Sequence, residues 1–259
     1  MSWIDAPGGA RVHFTDTGTG PAVVLIHGWS CDAGFWREQA GWANRYRLVS
    51  IDLAGHGLSR VTPTARAWSM AAFAADVVAV IDALGVGDAV LVGHSMGGAV
   101  ALEAALLLGA RCRLLLGVDT LNEATFYRGR PAGEIHARLA PFERDFAGAI
   151  TTMVGRIVAP HTDAALVTRI AHDMSATDPA CALPALAALL AWDIDTRWPL
   201  LHCPRATINS ALAAQRDETI PLAGLKVVLQ AGVGHFPMLE DAPAFTALAH
   251  MLIAQHQLR

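Results

Sequence analysis

The chain of 259 residues is 53% hydrophobic and 16% charged, enough apolar material to bury a large core and too much for intrinsic disorder. Its formal charge of −4 and its single lysine, Lys226, exclude the basic footprint that phosphate binding demands, so no nucleic-acid partner is expected. A mean hydropathy of +0.37 raises the question of a membrane, but the apolar stretches 97–110, broken by Glu103, and 180–192 fall short of the roughly 20 residues a spanning helix needs.

The opening residues, MSWIDAPGGARVHF, carry neither a basic region nor an apolar run of the kind that marks a signal peptide. Gly18-Thr19-Gly20 reads as a turn between early strands; no Gly-Lys-Ser/Thr follows to make it a phosphate loop. Ala22–Ile26, Arg47–Ile51, 89–92 and 113–118 are β-rich and almost continuously apolar, the pattern of strands buried on both faces of a parallel sheet. Residues 70–84 form a crossover helix ended by Gly85. The alternation predicts a doubly wound, mostly parallel α/β domain. From 121 to 195 the rhythm stops, and several helices punctuated by Pro131, Pro141, Pro160, Pro179 and Pro184 are expected. It returns with strands at 205–208 and Lys226–Gln230 and a final helix at 243–255. The expected organisation is a core of residues 1–120 and 196–259 with a helical cap inserted at 121–195. The four cysteines, Cys31, Cys112, Cys181 and Cys203, are dispersed and form no C-x-x-C pair. Free thiols in a reducing compartment, hence a soluble cytoplasmic protein, are the expectation.

The strongest chemical signal is Gly93-His94-Ser95-Met96-Gly97-Gly98, placed between the strand 89–92 and the apolar helix 99–108. G-x-S-x-G in a strand–turn–helix setting is a nucleophile elbow. It holds the Ser95 hydroxyl above the sheet at a helix N-terminus, where the dipole and free N–H groups favour developing negative charge. A hydroxyl at neutral pH needs a base. Of the 11 histidines, His235 stands out because Gly232-Val233-Gly234-His235-Phe236-Pro237 follows the strand Lys226–Gln230, on the sheet edge where open α/β folds bind ligands.

With Ile26-His27-Gly28-Trp29, Asp52-Leu53-Ala54-Gly55-His56-Gly57-Leu58-Ser59, Gly93–Gly98 and the run from Gly234-His235-Phe236 to Pro243, the sequence resembles the α/β-hydrolase superfamily at both ends of the chain. The resemblance implies Ser95 as nucleophile, His235 as general base, and the backbone N–H groups of Trp29 and Met96 as the oxyanion hole; it fixes no substrate. The acid departs from the commonest pattern, since Ile208-Asn209-Ser210-Ala211-Leu212-Ala213 has no carboxylate where the family usually places one. Two candidates preserve the order Ser…Asp…His: Asp119, at the tip of 113–118, and Asp217, reached only through a longer loop. Asp119 is preferred because a strand end positions a side chain better than a loop. Some relatives, including one branch of the haloalkane dehalogenases and the cofactor-free dioxygenases, carry their acid at that strand end.

The remaining polar residues take plainer readings. His27, His56 and Asp52 belong to structural turns, His94 packs beside the elbow, and Cys31 is a small pocket residue. His161, His172, His202 and His250 show no ligand spacing, so no metal is expected. The expected activity is a serine esterase of small, mainly apolar esters, thioesters or lactones, using no cofactor; the expected partner is a small-molecule substrate, with no nucleic acid and no membrane, and the oligomeric state is open. Cap residues such as Phe126, Tyr127, Phe142, Phe146, Met153, Leu186, Leu189, Leu190 and Trp192 would form the pocket. Other chemistry on the same site (perhydrolysis, dioxygenation, C–C hydrolysis) and slow-turnover ligand sensing stay open, because a fold does not determine its function.

Overall fold

The computed structural model describes residues 2–62, 66–121, 124–212, 214 and 222–257. Its frame is a sheet of eight strands: β1 (Ser2–Ala6), β2 (Ala10–Thr17), β3 (Ala22–Ile26), β4 (Arg47–Ile51), β5 (Ala89–His94), β6 (Cys112–Val118), β7 (Arg205–Ser210) and β8 (Lys226–Gln230). They lie in the order β1-β2-β4-β3-β5-β6-β7-β8. The β1–β2 and β2–β4 pairs are antiparallel and all others parallel. The apolar runs of β3 and β5 are buried at every residue, as strands flanked on both sides and covered on both faces must be. Chain order reverses between β3 and β5, the switch point at whose carboxyl ends α/β sheets bind ligands.

Helix α1 (Met70–Ala83) starts where Ser69 Oγ accepts the Ala72 N–H at 3.0 Å and stops before Gly85, which has φ +61°. Helix α2 (Met96–Leu108) begins three residues earlier than expected. The expectation underrated Gly97 and Gly98, poor helix formers that are kept because any Cβ there would strike the Ile26 and His27 carbonyls or the Thr120 side chain.

Between β6 and β7 the described chain is helical: α3 (Ala124–Tyr127), α4 (Ala132–Arg144), α5 (Phe146–Ile157), α6 (Ala164–Ser175), α7 (Pro179–Ala191) and α8 (Ile194–Arg197). Pro141 and Pro184 sit inside α4 and α7 and do not divide them. Pro141 falls in the last turn of α4 and Pro184 in the second turn of α7, so each removes a single interior hydrogen bond. Asp145, Asp163 and Asp178 cap α5, α6 and α7 through side-chain bonds to backbone N–H groups. Two contacts tie this layer to α2. Glu103, buried in that helix, accepts the Trp192 indole N–H at 2.7 Å and pairs with Arg197 at 3.0 Å. The chain ends with α9 (Pro237–Glu240) and α10 (Ala242–Gln257).

Among the described residues no single helix is long and apolar enough to cross a membrane. Helices α6 and α7 together reach the length and composition of a span, but they meet at a 98° bend.

Candidate active site

Parallel register brings four strand ends level. Ile26 pairs with Gly93, Gly93 with Gly117, and Val118 with Ile208, so residues 27–30, 94–96, 119–120 and 209–210 share one edge of the sheet. Three of the four non-glycine residues with positive φ in the described chain lie on it: Ser30 (58°), Ser95 (50°) and Asp119 (45°). Backbone strain of this kind gathers at functional sites.

Ser95 takes φ 50° and ψ −119°, and its N–H bonds the Val118 carbonyl at 3.1 Å. The elbow has no room for side chains: a Cβ on Gly93 would meet the Gly97 backbone. Thr120 Oγ1 braces the turn, 2.8 Å from both the Ser95 carbonyl and the Tyr127 hydroxyl. Ser95 is the N-cap of α2, yet its hydroxyl makes no capping bond. It is therefore not committed to the helix, and Met96, the first helical residue, has an N–H with no partner within the helix. The Met96 side chain is fully buried. Trp29, whose N–H is the other expected oxyanion donor, is held by its indole, which donates to the Ala182 carbonyl at 2.7 Å, and by the edges of Phe142 and Phe146.

His235 and Asp119 meet. Nδ1 of the imidazole lies 2.7 Å from Asp119 Oδ2, and the other oxygen, Oδ1, accepts the Ser210 N–H at 2.7 Å. The carboxylate is buried and the imidazole is one-fifth exposed. The end of β7, which carries no carboxylate, thus supplies a donor that holds the acid of the neighbouring strand. Asp217, the other candidate acid, lies outside the described residues.

The backbone around His235 is bonded on every side. Its N–H donates to the Ile157 carbonyl at 2.8 Å, and its carbonyl lies 2.8 Å from His94 Nε2. Burial holds the His94 pKa well below the usual histidine value, so the ring is neutral and donates through Nε2. Glu240 does more. Its Oε2 accepts from Gly234 N and Ala159 N at 2.9 Å and from Thr162 Oγ1 at 2.7 Å, while Oε1 accepts from Phe236 N at 3.0 Å. The sequence reading missed Glu240, although it sits five residues beyond His235 in the run that ends at Pro243.

His27, Asp52 and His56 are buried and do not line the cavity onto which Ser95 and His235 open. Leu53 N donates to His27 Nε2 at 2.9 Å, which leaves Nδ1 to donate to the Gly28 carbonyl. Asp52 receives Ala33 N, Leu58 N and His13 Nδ1 at 2.7–2.9 Å. Cys31 does line the cavity, with its thiol pKa pushed up by burial, so it is an unreactive thiol. Among the described residues no group of three or more His, Cys, Asp or Glu side chains is placed to hold a metal ion.

Ser95, Asp119 and His235 open into a cavity of about 900 Å³. Its walls include Trp29, Phe126, Phe142, Met153, Leu186 and Leu189, an apolar chamber with a few convergent polar groups at one end. Of the aromatic residues expected to form the pocket, Phe146 and Trp192 stand behind this lining.

Sheet, elbow and chamber together define a class. Residues 23–248 match the alpha/beta hydrolase family, and the chain belongs to it. It is 30% identical over 250 residues to a pimeloyl-[acyl-carrier protein] methyl ester esterase from Methylococcus capsulatus, covering 90% of this chain and 91% of that one. A bifunctional epoxide hydrolase 2 from Sus scrofa is 33% identical over 118 residues, 43% of this chain, and the match spans only 20% of that protein's length. Among solved structures, a thermophilic esterase from Thermogutta terrifontis superposes with a TM-score of 0.83 at 25% identity, covering 99% of both chains. The chain is an alpha/beta hydrolase.

Proposed function

We propose that the chain hydrolyses small, mainly apolar carboxylic esters, thioesters or lactones through an acyl-enzyme on Ser95. One observation carries the reading: a buried carboxylate, Asp119, is 2.7 Å from the imidazole of His235, and both open into the chamber that holds an uncapped elbow serine. His235 takes the Ser95 proton as the hydroxyl attacks the carbonyl carbon. Asp119 holds the ring with Nε2 toward the reaction and stabilises the imidazolium. The Met96 and Trp29 amides receive the oxyanion. The imidazolium then protonates the leaving alcohol, and a water deprotonated by the same ring releases the acid. These steps use side chains, main-chain amides and water.

The family supports this chemistry through the esterase names of the Methylococcus and Thermogutta proteins. Epoxide hydrolases are also relatives, but a hydroxyl at position 95 favours acyl transfer. The four cysteines are free thiols, which supports placement in a reducing compartment.

The test is a series of p-nitrophenyl esters of rising acyl length against wild type and Ser95→Ala, with labelling by a fluorophosphonate probe. Turnover and labelling that both vanish in Ser95→Ala are expected. Ester hydrolysis that persists without the hydroxyl would remove the acyl-enzyme.

A further inference from the structure

The cavity is not apolar throughout. On α4 the residues that line it are Arg138, Pro141, Phe142 and Arg144, with Asp145 just past the helix end; Arg138, Pro141 and Phe142 stand at i, i+3 and i+4 on one helix face. On α5 they include Thr152, Met153 and Arg156. With Arg144, three guanidinium groups border a cavity in a chain whose net charge is −4. Among the described residues two carboxylates line the same cavity. Asp119 is committed to His235 and Ser210 N, and Asp145 caps α5 through Gly148 N.

Elsewhere the arginines are mostly paired. Arg47, Arg111, Arg113, Arg128, Arg130 and Arg197 each meet a carboxylate within 3.2 Å. Arg138 and Arg144 have no carboxylate partner among the described residues. Arg138 is the more sheltered of the two: it is half-buried, with its guanidinium 5.7 Å from the centroid of the Phe126 ring, which also lines the cavity. A guanidinium set on an aromatic face keeps its planar N–H fork in one orientation and lacks an anion to receive it.

Resting on the esterase reading above, we infer that the preferred substrate carries an anionic group, a carboxylate or a phosphate, remote from the scissile carbonyl, and that Arg138 is the residue that receives it. The apolar walls take the linking carbon chain. Arg144 adds positive potential at the same border, which raises the local concentration of anions. Charge-assisted hydrogen bonds to a partly desolvated guanidinium discriminate by roughly tenfold or more.

The experiment compares matched pairs. p-Nitrophenyl hydrogen glutarate and p-nitrophenyl valerate differ by a carboxylate on the acyl side; 4-butyryloxybenzoate and phenyl butyrate differ by one on the alcohol side. Wild type is expected to show the higher kcat/KM on the anionic member of one pair, and that pair identifies the side. Arg138→Gln is expected to lower kcat/KM for that anionic ester roughly tenfold more than for its neutral match, through KM, with partial recovery in Arg138→Lys. Equal or better use of the neutral member in both pairs overturns the inference, as does an unchanged ratio in Arg138→Gln. In either case the esterase reading stands if Ser95 still turns over the neutral esters. Should no ester be turned over, the esterase reading fails on its own. Calorimetric binding of hexanoate against hexanamide to wild type and Arg138→Gln then decides the anion site: stronger hexanoate binding that needs Arg138 supports it, and no difference removes it.

Discussion

Asp119 Oδ1 is bound by the Ser210 N–H at 2.7 Å while Oδ2 faces His235. The carboxylate thus bridges the end of one strand and the loop beyond another. Asp119→Asn retains the size of the side chain but replaces one oxygen by an amide, which favours the wrong imidazole tautomer. Turnover of p-nitrophenyl esters is expected to fall by about 10⁴ with little change in KM. A loss under tenfold would move the acid elsewhere, and Asp217→Asn is the next variant to measure.

Glu240 receives four donors, two from residues flanking His235 and two from the segment after α5. Glu240→Ala leaves three backbone N–H groups searching for partners and lets the imidazole drift. A shift near 1 Å can cost about a hundredfold in rate, so kcat is expected to fall ten- to a hundredfold with KM nearly constant. A kcat within twofold of wild type would show that the loop holds itself.

The elbow glycines tolerate nothing larger. In Gly97→Ala the new methyl would overlap the carbonyls of Ile26 and His27, which are backbone and cannot rotate away. Overpacking of this kind costs about 1–3 kcal/mol and more where the neighbours are fixed. A loss of unfolding free energy below about 0.5 kcal/mol by urea denaturation, roughly the scale of a surface substitution, would contradict the packing described here.

Arg66 and Asp76 form a buried ion pair at 2.6 Å, with the guanidinium 5.0 Å from the centroid of the Phe73 ring. Among the described residues Arg66 Nε and Nη1 and Asp76 Oδ1 have no hydrogen-bond partner. Asp76→Ala strands a buried cation and is expected to cost about 3–5 kcal/mol, whereas Arg66→Met with Asp76→Leu is expected to cost far less. Chemical denaturation of the two variants checks the order, and equal losses would refute it.

Acid should loosen the fold through its buried histidines. Burial is the leading cause that lowers the pKa of His27, His56 and His94, in His56 to about 3. Each is neutral when folded and takes up a proton when unfolded below its ordinary value of 6.5. Stability present above pH 6.5 is therefore lost as the pH falls below that value, for His56 down to about 3, at up to about 1.4 kcal/mol per pH unit for each group while its folded form stays neutral. Unfolding between pH 6 and 5 is expected to absorb at least one proton, read from the pH dependence of the urea midpoint. A flat profile would contradict it.

What the sequence displays is what neighbours along the chain decide. The elbow is six consecutive residues around Ser95, and the buried strands advertise themselves as apolar runs. Asp119 was readable as a strand-end carboxylate. Its bond to Ser210 was not, because that donor is a backbone group 91 residues away and any residue type would supply it. Glu240 resembled an ordinary helix charge until the fold placed Ala159 and Thr162 against it. Arg138, Arg144 and Arg156 belong to no sequence motif; the packing of α4 against α5 brings them to one cavity. The early pair β1–β2 received no bounds because its strands are partly exposed, with no long apolar run.

The loop after β3 is stitched to the helices above it: Trp29 Nε1 to the Ala182 carbonyl, Ser30 Oγ to the Met174 carbonyl, and Thr177 Oγ1 to the Ser30 carbonyl. Residues 29–30 and 174–182 behave as one exchangeable part. Anyone grafting helices from a relative to alter selectivity must transplant that loop with them, or the chimera will inherit a new ceiling over a displaced floor.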